Sequence, residues 1–346
     1  MTPLPGEMTA VVLVEPGTAG LTIAQRPVKT PRPREVVVRV RACGIGRTVV
    51  NKVRQLRPEQ LPRIPGHEVA GDVAAVGDGV DEATPGDRVL LYYYVTCGRC
   101  RYCWEGREPL CDAVAGGASI RIGEDLDGGL AEYVTVPVRN VIPLPSDLGY
   151  LEATTAPDAI ATPLHICRRT EIRPGERMLV VGAAGGVGVH LLQVARWFGA
   201  EPIAVDLPGK LGELERYGAS ATVDGSAGDW QAPLAASIDV AVDLVGSPET
   251  LWRSFATLGR GGRMALLTVD PSVDFALAPF RMVAGERTIV GSKYASHAEV
   301  AHAADLLADG TIEAVISKSV SLDEAPDVLR AIERGTFFAR GALVLR

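Results

Sequence analysis

From Thr9 to Pro145, short β-branched runs alternate with Gly/Pro punctuation. They are TAVVLVEPG (9–17), EVVVRVRACGIG (35–46), HEVAGDVAAVGDGV (67–80), DRVLLYYYV (87–95) and GGLAEYVTVPVRNVIPLP (128–145). The pairs Pro16-Gly17, Pro65-Gly66 and Pro85-Gly86 read as turns between them. Short strands at this spacing predict a barrel-like or sandwich β domain. Along a strand over 87–95, side chains alternate, so Tyr93 should point away from Tyr92 and Tyr94. The segment LEATTAPDAIATPLHICRR (151–169) reads as containing a helix.

From Arg173 the period changes. Apolar runs suited to buried strands alternate with helix-length amphipathic segments: MLVVGA, HLLQVARWFGA, PIAVD, KLGELERYGA, IDVAVDLVG, PETLWRSFATLG and GRMALLTV. This order predicts a parallel sheet covered on both faces. The tail from Gly291 holds one clear helix, AEVAHAADLLADG (298–310), and ends in short strands that include GALVLR. No repeat at a solenoid period is present.

Length then adds a domain count, since 346 residues suit two domains. Hydrophobic residues at 47% and charged residues at 22% exclude a disordered chain. A net charge of −7 argues against nucleic acid or an anionic membrane as partner. No apolar run reaches the length of a membrane span, and the N-terminus lacks the basic start and apolar core of a signal peptide. The expected location is the cytoplasm, where clustered cysteines hold metal more often than disulfides.

Two motifs carry chemistry. The first is the strand-to-helix turn GAAGGVG (182–188), comprising Gly182, Gly185, Gly186, Val187 and Gly188 among others. Gly182 and Gly185 permit a tight turn beside a pyrophosphate, Gly188 lets helix and strand approach, and the helix N-terminus offers unpaired N–H groups. Asp206 ends the next strand, where an acid would accept hydrogen bonds from the adenosine ribose. A carboxylate there accepts from a 2′-hydroxyl and repels a 2′-phosphate, so NAD(H) is expected over NADP(H). Lys210 is close enough in sequence to reach a ribose or phosphate. The second motif is Cys97, Cys100, Cys103 and Cys111, spaced C-x2-C-x2-C-x7-C. Four thiolates this close can close a tetrahedral zinc site with no open position, which stabilises a loop and does no chemistry.

These motifs, together with PGHEVAG (65–71), TPGDRV (84–89) and DLVGSPETL (243–251), resemble the medium-chain, zinc-type alcohol dehydrogenase family over nearly the whole chain. The resemblance implies an α/β protein: a GroES-like β-rich catalytic domain (1–153 and 291–346) with a structural-zinc lobe at 97–111, and an inserted Rossmann domain (154–290) with a doubly wound parallel sheet. It implies an NAD(H)-dependent oxidoreductase moving hydride between the nicotinamide and an alcohol/carbonyl pair of a small organic substrate. It places Val245 beside the cofactor and the active site between the domains, and it implies a homodimer or homotetramer.

The family's second, catalytic zinc uses a Cys, the His of GHE and a later Cys or Asp, with the Glu nearby. His67, Glu68 and Asp158 match. The first ligand does not: in CGIGRTVVN (43–51), Gly46 stands at the Cys position, Val49 at the Asp and Asn51 at the relay His. Thr48 keeps the hydroxyl. Cys43, three residues earlier, would point to the opposite side of a strand and reads as a small core residue. An absent or weakly held catalytic metal is therefore expected. A hydrogen-bond or proton donor must then polarise the substrate, with Thr48 and Tyr93 as candidates. The alternative is a catalytic-zinc-free reductase of a conjugated C=C or C=N bond. A non-enzymatic dinucleotide-binding protein is a third reading. His165, His190, His297 and His302 read as packed or solvated.

Overall fold

The computed structural model describes residues 3–115, 120–268 and 270–345. The chain divides into two compact units: Met1–Asp158, Ala295–Gly310 and Ala314–Arg346 in one, Ala159–Tyr294 and Thr311–Glu313 in the other.

The first unit is built on a strand whose burial explains its place. Glu35–Ile45 is buried except at Glu35, Arg39 and Arg41 and sits inside a seven-stranded sheet. The order runs Ile316–Val320, Arg340–Val344, Glu35–Ile45, Glu68–Val76, Arg88–Leu91, Val141–Pro143, with Tyr133–Pro137 also paired to Glu35–Ile45. Pairing to the central strand is antiparallel throughout. A separate hairpin joins Glu7–Leu13 to Leu21–Pro27. Val36, Val38, Val40, Cys43, Ile45, Val69, Leu91, Leu130 and Leu343 share one core. The late helix begins at His297 and ends at Ala308; Ser296 caps it by accepting the Glu299 amide at 3.1 Å, while Glu299 reaches back to the Ser296 amide at 2.7 Å.

The second unit is a six-stranded parallel sheet in the order Ala221–Asp224, Glu201–Asp206, Arg177–Val181, Ile238–Asp243, Leu258–Leu266, Thr288–Gly291. The strand order reverses beside Arg177–Val181, the position at which such sheets bind dinucleotides. Helices Gly186–Trp197 and Pro248–Thr257 form where the amphipathic pattern places them.

Two sequence expectations fail. The segment KLGELERYGA does not form an α-helix: a 3-10 turn spans Pro208–Glu213 and turns follow. Gly209, Gly212 and Gly218 lower helix propensity there, and Gly218 adopts φ +100°. The strand expected over 87–95 breaks at Tyr92 and Tyr93, between Arg88–Leu91 and Tyr94–Val95. With the alternation interrupted, the rings of Tyr93 and Tyr94 lie side by side with centroids 4.6 Å apart.

Candidate active site

The turn at 182–188 is shaped by three glycines. Gly182 has φ +82°, which only glycine adopts freely. A Cβ on Gly188 would lie 2.7 Å from both the Cα and the oxygen of Ala183, so the helix could not approach the turn with any side chain there. Gly185 precedes the first helical residue, Gly186, so the amides of Gly186, Val187 and Gly188 form the free first turn. Asp206 closes the turn from the neighbouring strand: one carboxylate oxygen accepts the Ala184 amide at 2.8 Å, the other the Leu207 amide at 2.8 Å. Its remaining lone pairs are free for hydroxyl donors. Lys210 lies in the 3-10 turn that follows. Val245 is 57% exposed, and its Cγ2 is 3.2 Å from where a Cβ on Gly182 would stand. The buried Asp243 carboxylate accepts the Val245 and Gly246 amides at 2.8 and 2.9 Å and so fixes that loop. These residues fit a dinucleotide.

Among the described residues two groups bring three or more metal-ligating side chains within 4.8 Å of one another. The first is Cys97, Cys100, Cys103 and Cys111. The Cys100–Cys103 sulfurs are 3.6 Å apart and the Cys97–Cys111 sulfurs 3.5 Å. A tetrahedron with Zn–S bonds of about 2.3 Å needs S···S separations near 3.8 Å, so the set fits a closed zinc site. Hydrogen bonds from the Arg99 and Cys100 amides lower the Cys97 thiol to about 6. Four clustered thiols do not all lose protons unaided, and Cys103 is pushed up to about 12 by burial and its sulfur neighbours. A cation would supply the missing compensation.

The second group is His67, Glu68 and Asp158, all buried. His67 and Glu68 stand at the start of strand Glu68–Val76, and Asp158 lies in a π-helical turn, Ala156–Ile160. Such turns re-aim side chains and recur at functional sites. His67 Nε2 is 3.7 Å from Glu68 Oε1 and 3.8 Å from Asp158 Oδ2. Thr48 donates its hydroxyl hydrogen to Asp158 Oδ2 at 3.1 Å. The Tyr93 ring packs on the imidazole with centroids 4.6 Å apart. Burial would lower the basicity of His67, but the hydrogen bond its imidazole donates to Asp158 and the charge of Glu68 raise it overall. Burial would raise the Asp158 carboxyl; His67 and the Arg340 charge instead hold it well below the usual carboxylate range.

Arg340 was not among the residues that the sequence singled out. Its guanidinium contacts Glu68 Oε2, with side-chain exposures of 3% and 0%. A Cβ on Gly46 would stand 2.8 Å from its Nη2. The zinc-type catalytic ion does not fit this donor set. Three donors converge, but the Arg340 guanidinium lies beside Gly46, where the zinc-type pattern has its cysteine ligand, and no thiolate is present there. Cys43 offers no replacement: it is fully buried in the core, and burial pushes its thiol up. His190 is likewise buried, with Nδ1 2.6 Å from the Gly186 carbonyl oxygen, and His297 packs on Tyr92 at 5.4 Å.

The alcohol dehydrogenase GroES-like domain family matches residues 32–146, and the zinc-binding dehydrogenase family matches residues 186–309. An acryloyl-coenzyme A reductase of Metallosphaera sedula is 32% identical over 86% of this chain and 89% of its own length. A cobalt- and zinc-bound thermostable alcohol dehydrogenase from Pyrobaculum aerophilum superposes with a TM-score of 0.88 at 29% identity, covering 98% of this chain and 100% of that one. An NAD-dependent alcohol dehydrogenase gives a TM-score of 0.89 at 29% identity with the same coverages. No helix among the described residues is long and apolar enough to cross a membrane. The chain belongs to the medium-chain, zinc-type alcohol dehydrogenase family of oxidoreductases.

Proposed function

We propose that the chain moves hydride between NAD(H) and a small alcohol/carbonyl pair, with one structural zinc on Cys97, Cys100, Cys103 and Cys111 and no catalytic zinc. The observation that carries the reading is the polar chain from half-buried Thr48 to buried Asp158 and His67. An alcohol loses its hydroxyl proton as hydride leaves its carbon, and a carbonyl takes one up in reverse. Bound NAD(H) supplies the hydride acceptor or donor. Thr48 Oγ1 accepts the substrate proton while passing its own to Asp158 Oδ2, and Asp158, a weakly basic carboxylate here, hands that proton on to the neutral imidazole of His67 at Nε2. Tyr93, packed on His67, is a second proton donor or a wall of the pocket. Gly182, Gly185, Gly186, Val187 and Gly188 cradle the pyrophosphate, Asp206 and Lys210 face the adenosine ribose, and Val245 borders the nicotinamide. Asp206 supports NAD(H) over NADP(H), because no basic side chain accompanies it at Leu207 to Gly209.

A second reading, reduction of a conjugated C=C bond, is favoured by the guanidinium over Gly46. Delocalisation eases such a reduction without a Lewis acid, and the M. sedula relative is named for that class of reaction. Oxidation of NADH in the presence of an aldehyde and ketone panel, beside an enoyl-thioester panel, separates the two. Turnover of neither panel, with no binding of NADH, would sink both. A small-molecule substrate and assembly as a homodimer or homotetramer complete the proposal.

A further inference from the structure

The helix that carries Thr48 has a polar face that the proton path does not use up. In Arg47–Gln55, Val49, Val50 and Val53 are buried, while Thr48, Asn51 and Lys52, at i, i+3 and i+4, share one half-buried face. Thr48 reaches Asp158 from that face. Lys52 stands one turn further on with only 18% of its side chain exposed, whereas a lysine ordinarily keeps its ammonium in water. Its Nζ lies 3.4 Å from Oε2 of Glu124, whose side chain is 5% exposed. Arg121 donates to the same oxygen at 2.8 Å and reaches Asp125 at 3.0 Å. The loop carrying Glu124 rests on the backbone next to His67. A Cβ on Gly123 would stand 2.7 Å from the Gly66 oxygen, and the Gly129 amide donates to that oxygen at 2.9 Å. The charge of Glu124 is near enough to add to the basicity of His67.

Two groups in this cluster are unspent. Glu124 Oε1 is buried without a hydrogen-bond partner, a state that costs stability unless something fills it. Lys52 has three N–H donors, and its contact with Glu124 is looser than the about 2.7–2.9 Å of a close charge-assisted bond. We propose that Lys52 and Glu124 form a subsite that reads a second hydroxyl group of the substrate. The hydroxyl oxygen accepts from Lys52 Nζ, and its hydrogen is donated to the Glu124 carboxylate. The loose pair opens on the flexible lysine stem to admit this one bridging group. The charges set the class. Lys52 and Arg121 against Glu124 and Asp125 sum to zero, so the cluster favours neither a carboxylate nor an ammonium. A neutral group that both donates and accepts matches it. The substrate is then a diol or polyol, with its second hydroxyl within about one helical turn, roughly 5.4 Å, of the oxygen that reacts at Thr48. This rests on the hydride-transfer reading and adds the substrate class to it.

The experiment compares 2,3-butanediol and 1,3-butanediol with 2-butanol, which has the same carbon chain and one hydroxyl. With the full chain and NAD+, kcat/KM should favour at least one diol by about 10-fold or more, as expected of hydrogen bonds to charged partners. Lys52→Met should bring that ratio close to one, and Lys52→Arg, which keeps the donors, should preserve most of it. Glu124→Gln, which keeps the shape and loses the charge that holds Lys52, should lower the ratio as well. Melting and NADH binding report that each variant has folded. Equal kcat/KM for all three alcohols in the wild type would overturn the proposal, as would a diol preference that survives Lys52→Met and Glu124→Gln. Saturation-transfer NMR of the same alcohols gives a readout without turnover. Diol-selective binding that Lys52→Met abolishes, with no alcohol oxidised, would keep the subsite and sink the hydride-transfer reading. Oxidation of 2-butanol with no diol selectivity in either measurement would do the reverse, and absence of both oxidation and diol-selective binding would sink the two together.

Discussion

Asp206→Asn separates two roles that one carboxylate holds in this structure. Its oxygens accept the Ala184 and Leu207 amides at 2.8 Å each, and so brace the turn. The same oxygens are available to the two ribose hydroxyls of a dinucleotide. Asparagine keeps the shape but has a single acceptor oxygen, so one amide loses its partner and the NH2 group meets an N–H. Ala184 is fully buried, and stranding its amide would cost about 1–3 kcal/mol. For a domain of this size that is a fall of about 2–4 °C in Tm per kcal/mol. Hydrogen bonds to a charged acceptor contribute about 1.5–3 kcal/mol, so NADH affinity should fall about 10- to 100-fold. NADPH should not suffer equally, because the repulsion of its 2′-phosphate by the carboxylate disappears. Fluorescence titration of both cofactors against wild type and variant measures the split. If NADH and NADPH weaken by the same factor, Asp206 only braces the turn and the ribose reading is wrong. Tighter NADPH than NADH binding by the wild type would refute the cofactor preference directly.

Cys100→Ser should release the zinc and lower Tm, because metal binding is linked to folding; an unchanged metal content in the variant would count against the closed four-thiolate site. Gly188→Ala drives a Cβ into the backbone of Gly182 and Ala183 and should destabilise by about 1–3 kcal/mol while weakening both dinucleotides, which melting and titration would detect. Tyr93→Phe keeps the ring on His67 and removes the phenol. A rate drop of about 10²-fold assigns acid catalysis to it, and an unchanged rate leaves it as pocket wall. Thr48→Val removes the donor to Asp158 and should lower kcat for an alcohol about 10²-fold with little change in Tm; full activity would remove Thr48 from the proton path.

The features legible in the sequence are those written in local spacing. Four cysteines within fifteen residues, and a glycine turn between a strand and a helix, each converge through contacts a few positions apart. Asp158 was legible only through resemblance, since nothing in ATTAPDAIATP marks a π-helical turn that brings a carboxylate to His67. The absence at Gly46 was visible, but what fills the space was not. Arg340 is one arginine among many, and its place depends on the register of two strands that lie almost three hundred residues apart. The segment at 210–219 misled because apolar periodicity was weighed above its glycines, which break the helix.

The division of the first unit between both ends of the chain imposes an order on synthesis. Residues 159–294 are contiguous, so the parallel sheet has all its strands while the last fifty residues are still unmade. The sheet around Glu35–Ile45 has no such independence, because Arg340–Val344 pairs with it only once translation is nearly over. Until then Glu68 lacks its counter-charge and one edge of Glu35–Ile45 is open along 42–45, a stretch of unpaired backbone available to other chains. A nascent chain stalled or clipped before Arg340 would thus keep a finished nucleotide-binding fold beside an unfinished sheet. Loss of the final residues should read out as aggregation, with the cofactor half still intact.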